Sequence, residues 1–227
     1  MDIKSYLLGK QASGGGGGGS STNCGAVNQV IIDEGYEDED GEQAVELYLT
    51  KMNGIVVSNE KTDFSYMFQD CMRLEEIGPF NTSNATTMEG MFTYCLSLET
   101  LPNMDTSNVE NMNSMFFDCS SLVNAPIMDT SNVTDMYAMF VGCKSLENVP
   151  VYDTSSVTNM SGCFANCESL TDESLNNILY MLSNVSNDYT ETKTLFDIFG
   201  GNIDQINKCT TLSNWTLAQS TGWTTGL

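Results

Sequence analysis

The stretch DTSNVENMNSMFFDCSSLVNAPIM, residues 105–128, returns almost letter for letter as DTSNVTDMYAMFVGCKSLENVPVY at residues 129–152. The same frame is visible as NTSNATTMEGMFTYCLSLETLPNM at 81–104 and as DTSSVTNMSGCFANCESLTDESLN at 153–176, with a decayed copy at 57–80. Cys71, Cys95, Cys119, Cys143 and Cys167 keep the register, as do Leu74, Leu98, Leu122, Leu146 and Leu170. A strict period of this length indicates a solenoid, because a unit this short cannot bury its own apolar face and must borrow a neighbour's. Stability is then expected to be a property of the row and not of the unit.

Within the 105–128 unit, Val109, Met112, Met115, Phe116 and Cys119 fall three or four residues apart, a helical period. Ser107 stands before this stripe with Glu110 three positions on, a capping-box spacing, and Ser83, Ser131 and Ser155 are its equivalents. The segment that follows, Leu122 to Pro126, is short and apolar, and Pro102, Pro126 and Pro150 suit the end of a strand, where no amide hydrogen is needed. The expectation is an α/β fold: about five coils of 24 residues, each a short helix and a short strand.

These residues resemble the BspA-like leucine-rich repeat of bacterial and phage surface proteins, whose usual form is DTSxVTxMxxMFxxCxSLxxLP. The resemblance is close over Asn81 to Leu170, weaker over Val57 to Phe80 and absent before that. It implies a curved solenoid used for adhesion or recognition, and it supplies no catalytic residue. Two shorter resemblances point to a phage-encoded member. MDIKSYLLGK followed by a glycine run is similar to the start of small virion proteins, and the terminal GWTTGL is similar to the end of phage members of the family.

Composition narrows the function classes. The chain has 30 acidic against 8 basic residues, a formal charge of −22 and a single arginine, Arg73, which argues against phosphate backbones and anionic lipid as partners. It has no histidine, and so lacks the usual general base and the commonest zinc ligand. No stretch is long enough to span a membrane and no N-terminal run has the order of a secretory signal, so export by a standard route is not expected. The expectation is a non-enzymatic protein with no cofactor and no metal.

The eight cysteines could suggest disulfides. Equivalent positions in adjacent coils would lie roughly 4.8 Å apart, within disulfide reach. Each one nevertheless sits at a core spacing after Met-Phe, so Cys71, Cys95, Cys119, Cys143 and Cys167 read as a buried thiol ladder, with disulfide or metal binding as the alternative. Cys163 stands where the repeat has Met. A second ladder, expected on the surface, comprises Asn81, Asp105, Asp129 and Asp153 with Thr82, Thr106, Thr130 and Thr154; its carboxylates either close Asx turns or share a cation.

Outward from the repeats, 1–13 reads as an N-terminal docking peptide, with Ile3, Tyr6, Leu7 and Leu8 as candidate virion-anchoring residues, and 14–23 as a Gly/Ser linker. Residues 24–56 read as an N-terminal β cap, with strands at Val27 to Asp33 and Ala44 to Leu49 around an acidic turn, Glu34 to Glu42, that lacks calcium-loop spacing. The repeat array occupies 57–171. Residues 172–227 read as a helical C-terminal cap: Asp172 caps a helix over Glu173 to Ser183, a second runs from Thr190 to Phe199, one or two more lie in Asn202 to Ser220, and Trp215 and Trp223 serve as cap core. The implied function is a recognition or structural protein of a phage virion, on tail or head. It would be held to virion proteins by its N-terminus, in one or several copies, and would contact a host-surface protein or glycan. The alternative is an adhesin on the bacterial cell surface or a protein-interaction module.

Overall fold

The computed structural model describes residues 27–34 as backbone, and 51–57, 59–186, 188–191 and 193–227. The docking peptide, the linker, Cys24 and the expected strand at 44–49 lie outside the described residues.

Strands β1 (Val27–Glu34) and β2 (Lys51–Val57) pair antiparallel, from Val27 opposite Val57 to Glu34 opposite Lys51. β2 then lies parallel to β3 (Glu76–Ile77), and Glu76 in turn bridges Thr100 of the next repeat. The β pair therefore closes the first edge of the repeats by continuing their own backbone pairing. Met52, Ile55 and Val57 are buried in the common core.

From residue 59 to 170 each 24-residue unit lies against the next. Asp63, Thr87, Asn111, Asp135 and Asn159 form successive parallel bridges, one per unit. The segment expected to be a short helix is not helical. In the unit 81–104, the amides of Met88, Gly90, Phe92 and Tyr94 donate across to the carbonyls of Asn111, Asn113, Met115 and Phe117 at 2.8–2.9 Å. The alternate amides, of Met91, Thr93 and Cys95, donate back three residues within their own unit, to Met88, Gly90 and Phe92, at 3.0–3.2 Å.

The backbone explains the difference. Every fourth residue takes a left-handed conformation: Tyr66 and Asp70, Gly90 and Tyr94, Ser114 and Asp118, Ala138 and Gly142, Gly162 and Asn166, with φ between 53° and 75°. Such a residue cannot continue an α-helix, and consecutive turns replace it. A row of turns returns the side chain inward with the same three-and-four spacing as a helix, so the apolar stripe is common to both. The Ser residues read as helix caps consequently cap nothing. The expected strand from Leu122 to Pro126 is likewise reduced to a single bridge, Asn124 to Asn148.

The inward residues form columns. Phe68, Phe92, Phe116, Phe140 and Phe164 stack ring on ring, with centroids 5.3–5.6 Å apart and planes within 11°. Val109, Val133 and Val157, the methionines Met88, Met112, Met136 and Met160, and the repeated leucines are buried alongside. After Leu170 the frame breaks into α1 (Asp172–Ser183), α2 (Leu195–Ile198), α3 (Ile203–Cys209) and α4 (Trp215–Ser220). Thr171, one residue before the expected cap, is the N-cap of α1, and Leu175, Ile178, Leu179 and Leu182 form its buried face. The expected helix over 190–199 is shortened to the four residues of α2. Its carbonyls do the work of a next unit, since Gly162 and Phe164 donate to Asp197 and Ile198 at 3.1 Å. Trp223 is buried, its indole N–H donating to the Leu182 carbonyl at 2.7 Å.

Because Phe116 is held between Phe92 and Phe140 at 5.6 and 5.3 Å, Phe116→Ala is expected to cost about 3–5 kcal/mol in denaturant unfolding. A loss below about 1 kcal/mol would show that the ring column is not a main source of stability.

Candidate functional site

The repeated polar residues are consumed by the row itself. Asp105 Oδ1 accepts from the Ser107 amide at 3.1 Å and hydroxyl at 2.7 Å, and Asp129 holds Ser131 with the same two distances. Asp153 and Asn81 accept from the amides of Ser155 and Ser83. These are Asx turns. The serine hydroxyl and amide hold the Asp105 and Asp129 carboxyls below the usual carboxylate range. The four threonines placed on the surface from sequence are instead buried, at 1–3 % exposure. Most buried hydroxyls are bonded: Thr106 donates to the Asp129 carbonyl and Thr130 to that of Asp153, each at 2.9 Å, and Thr154 donates to the Met181 carbonyl at 2.6 Å. Thr82, at the start of the series, has its hydroxyl oxygen buried without a partner.

A second line of turn-closing side chains was not picked out from sequence. Asp63, Asn111, Asp135 and Asn159 each accept from the amide two residues on, at 2.8–3.0 Å. The signal was present: the residue before the first methionine is Thr, Asn, Asp or Asn in successive copies.

All seven described cysteines are unbridged and buried. The thiols of Cys95, Cys119, Cys143 and Cys167 donate to the carbonyls of Phe68, Phe92, Phe116 and Phe140 in the unit before, with sulfur to oxygen distances of 3.0–3.2 Å. Each of those carbonyls also accepts the amide of its own unit's cysteine, so both lone pairs are used. Burial pushes the thiols up, Cys209 to about 12 and Cys143 further.

A group whose folded pKa is raised contributes stability that is complete below its unfolded pKa, about 8.5 for a thiol, and is lost as pH rises beyond it. Melting temperature is therefore expected to fall between pH 8 and 9.5, less steeply in Cys119→Ala. In the native state the seven described thiols, all buried, are expected not to react with a thiol reagent. Several fast-reacting native thiols, or an equal pH slope in the variant, would contradict the ladder.

What remains free to contact a ligand is the set of positions that differ between copies. On the turn segment these carry Tyr66, Tyr94 and Tyr137, exposed at 45 %, 38 % and 44 %, with Phe117 half-buried. Tyr94 and Phe117 meet edge to face, centroids 5.6 Å apart and planes at 73°, so they form an open aromatic corner across two adjacent units. Tyr66 lies over Gly90, where a Cβ would collide with its ring, and its hydroxyl donates to Glu89. Partial burial and that carboxylate push the Tyr66 phenol up to about 12. Asp118 similarly overlies Gly142.

A shallow cavity of about 270 Å³ opens where the bridge ladder gives way to α1, lined by Asn124, Ile127, Asn148, Glu173 and Asn177 among others. Its amides are partly committed: Asn148 donates to Asn124 at 2.8 Å and Asn177 to the Val149 carbonyl at 2.9 Å. Ile127 on its rim is 85 % exposed. Among the described residues no three acidic or cysteine side chains converge as a metal site, and no helix is long and apolar enough to cross a membrane.

The model of the family described as "Mycoplasma protein of unknown function, DUF285" matches residues 62–177 and again 125–216. The chain belongs to the DUF285 family. Two overlapping matches are what a repeating frame produces, because a model spanning several units fits it in more than one place. The DUF285 region takes in the repeats and most of the helices that follow, but not the β pair. No curated protein and no solved structure matches the chain.

Proposed function

We propose that this DUF285 chain is a non-enzymatic recognition protein, a leucine-rich-repeat-like solenoid closed by a β pair and by helices, whose turn face reads a partner. One observation carries this reading. The side chains that recur in every unit are buried or hydrogen-bonded within the row, while the exposed aromatics Tyr66, Tyr94 and Tyr137 occupy positions that vary from unit to unit. A scaffold that holds its frame constant and varies only what it exposes is suited to binding, and exposed aromatics beyond scattered single residues mark interaction surfaces.

The setting we propose is the surface of a phage virion, on tail or head, with Ile3, Tyr6, Leu7 and Leu8 docking into a virion subunit and the repeats facing a host-surface protein or glycan. The supports are the short apolar leader, the six-glycine run behind it and the resemblance of both to virion proteins. Several copies on one particle would gain avidity without any one site being tight. The reading of a bacterial cell-surface adhesin draws support from the family description, which names a cellular organism.

Density-gradient fractions of the source culture, probed with an antibody to the repeats, separate the two. The protein is expected to band with particles, and deletion of 1–13 is expected to release it without moving the melting temperature of the repeats. Banding with cell envelopes in the absence of particles would overturn the virion setting in favour of the adhesin.

A further inference from the structure

The turn face is acidic over its first four segments, and the fifth, 159–166, is uncharged. Segments 63–70, 87–94, 111–118 and 135–142 contain Asp63, Asp70, Glu89, Asp118 and Asp135, and not one lysine or arginine. Asp118 directly follows Phe117, with its side chain over Gly142 of the following unit, and Glu89 accepts from Tyr66 and Asn111, so the corner of Tyr94 and Phe117 stands on an acidic face in a chain whose formal charge is −22. The ring faces of tyrosine and phenylalanine attract cations, and do so more strongly when a carboxylate stands beside them. An anionic ligand would be repelled here. A neutral sugar would find a stacking surface but would leave the carboxylates without a countercharge.

The repeat also sets the shape of what can bind. Equivalent positions recur in adjacent units at about the spacing of neighbouring strands, roughly 4.8 Å. A linear ligand running along the row therefore meets one unit's variable positions at each step, with the aromatic corner at the step between 81–104 and 105–128, in the way solenoid faces hold extended segments.

We propose that the partner read by the turn face is an extended basic segment of another protein, with one arginine or lysine head lodged in the Tyr94–Phe117 corner against Asp118 and others along the row toward Glu89 and Asp135. This rests on the recognition reading above and narrows it from any surface ligand to a cationic peptide. Guanidinium fits better than ammonium because it is planar and stacks on aromatic faces.

The internal repeats supply substitutions compatible with folding. Tyr94 is left-handed at φ 62°, and the equivalent positions carry Gly142 at 75° and Asn166 at 60°. Tyr94→Gly thus removes the ring at a site whose backbone accepts glycine, and Asp118→Asn places at 118 the residue found at 166. Glu168→Gln, on the exposed loop beyond the turn face, removes a charge elsewhere as the control.

The probes for calorimetric titration of the full chain are the octapeptide (Arg-Ser)4, its (Glu-Ser)4 counterpart and a neutral N-acetylhexosamine oligomer. The arginine peptide alone is expected to bind. Its Kd should rise at least tenfold in Tyr94→Gly and severalfold in Asp118→Asn, with Glu168→Gln unchanged. Binding that weakens equally in Asp118→Asn and Glu168→Gln but not in Tyr94→Gly would reduce the effect to diffuse charge and overturn the proposal. Binding of the sugar in place of the peptide, lost in Tyr94→Gly, would overturn it while leaving the recognition reading intact. Binding of none of the three probes also overturns it, and whether the wild type, but not Tyr94→Gly, still labels intact host cells then decides the recognition reading separately.

Discussion

Half of the backbone amides in each turn segment have no partner within their own unit. Met88, Gly90, Phe92 and Tyr94 point their N–H groups out of the unit, and the carbonyls that receive them belong to the next. An unpaired buried amide costs on the order of 1–3 kcal/mol, so a unit without a neighbour forfeits several such bonds together with the burial of its ring. The rest of the molecule follows from this requirement. The period cannot slip, because a shift of one residue would exchange the outward amides for the inward ones. The ends must also be covered, by the β pair at one edge and by the carbonyls of α2 at the other.

The same requirement divides the side chains into two groups. Those that recur are occupied with the neighbour above or below: phenylalanine with phenylalanine, cysteine thiol with phenylalanine carbonyl, threonine hydroxyl with the backbone 23 residues on. They have nothing left for a ligand. The repeated aspartates are exposed but spent on closing turns, so identical charges line up along the row while each is held by its own serine. What is left exposed and uncommitted to the row lies at the variable positions, among them Tyr66, Tyr94 and Tyr137.

The period, the core columns and the burial of the cysteines could all be read from the sequence, because they depend only on which residues recur. The conformation between them could not. The spacing of Val109, Met112, Met115, Phe116 and Cys119 suits a helix and a string of turns equally well; of the left-handed residues that decide between them, those at 66, 90, 114, 138 and 162 are Tyr, Gly, Ser, Ala and Gly and share no chemical signature, while those at 70, 94, 118, 142 and 166 are Asp, Tyr, Asp, Gly and Asn, mostly types that tolerate this conformation. Thr106 misled for a related reason. A hydroxyl in sequence looks like surface, and only the Asp129 carbonyl of the following unit makes it a core residue. The aromatic corner was hidden because Tyr94 and Phe117 are neighbours only across two units, at positions one residue out of register.

The claim that stability resides in unit-to-unit bonding is tested most directly by removing part of the row. Deleting residues 105–128 brings Phe92 against Phe140 and the Tyr94 amide against the Val141 carbonyl, whereas deleting 105–116 leaves every later residue half a period out of register. Unfolding in denaturant, followed by circular dichroism, should remain a single cooperative transition at a lower midpoint for the whole-unit deletion and disappear for the half-unit deletion. A cooperative transition in the half-unit deletion, or its loss in the whole-unit deletion, would contradict the account.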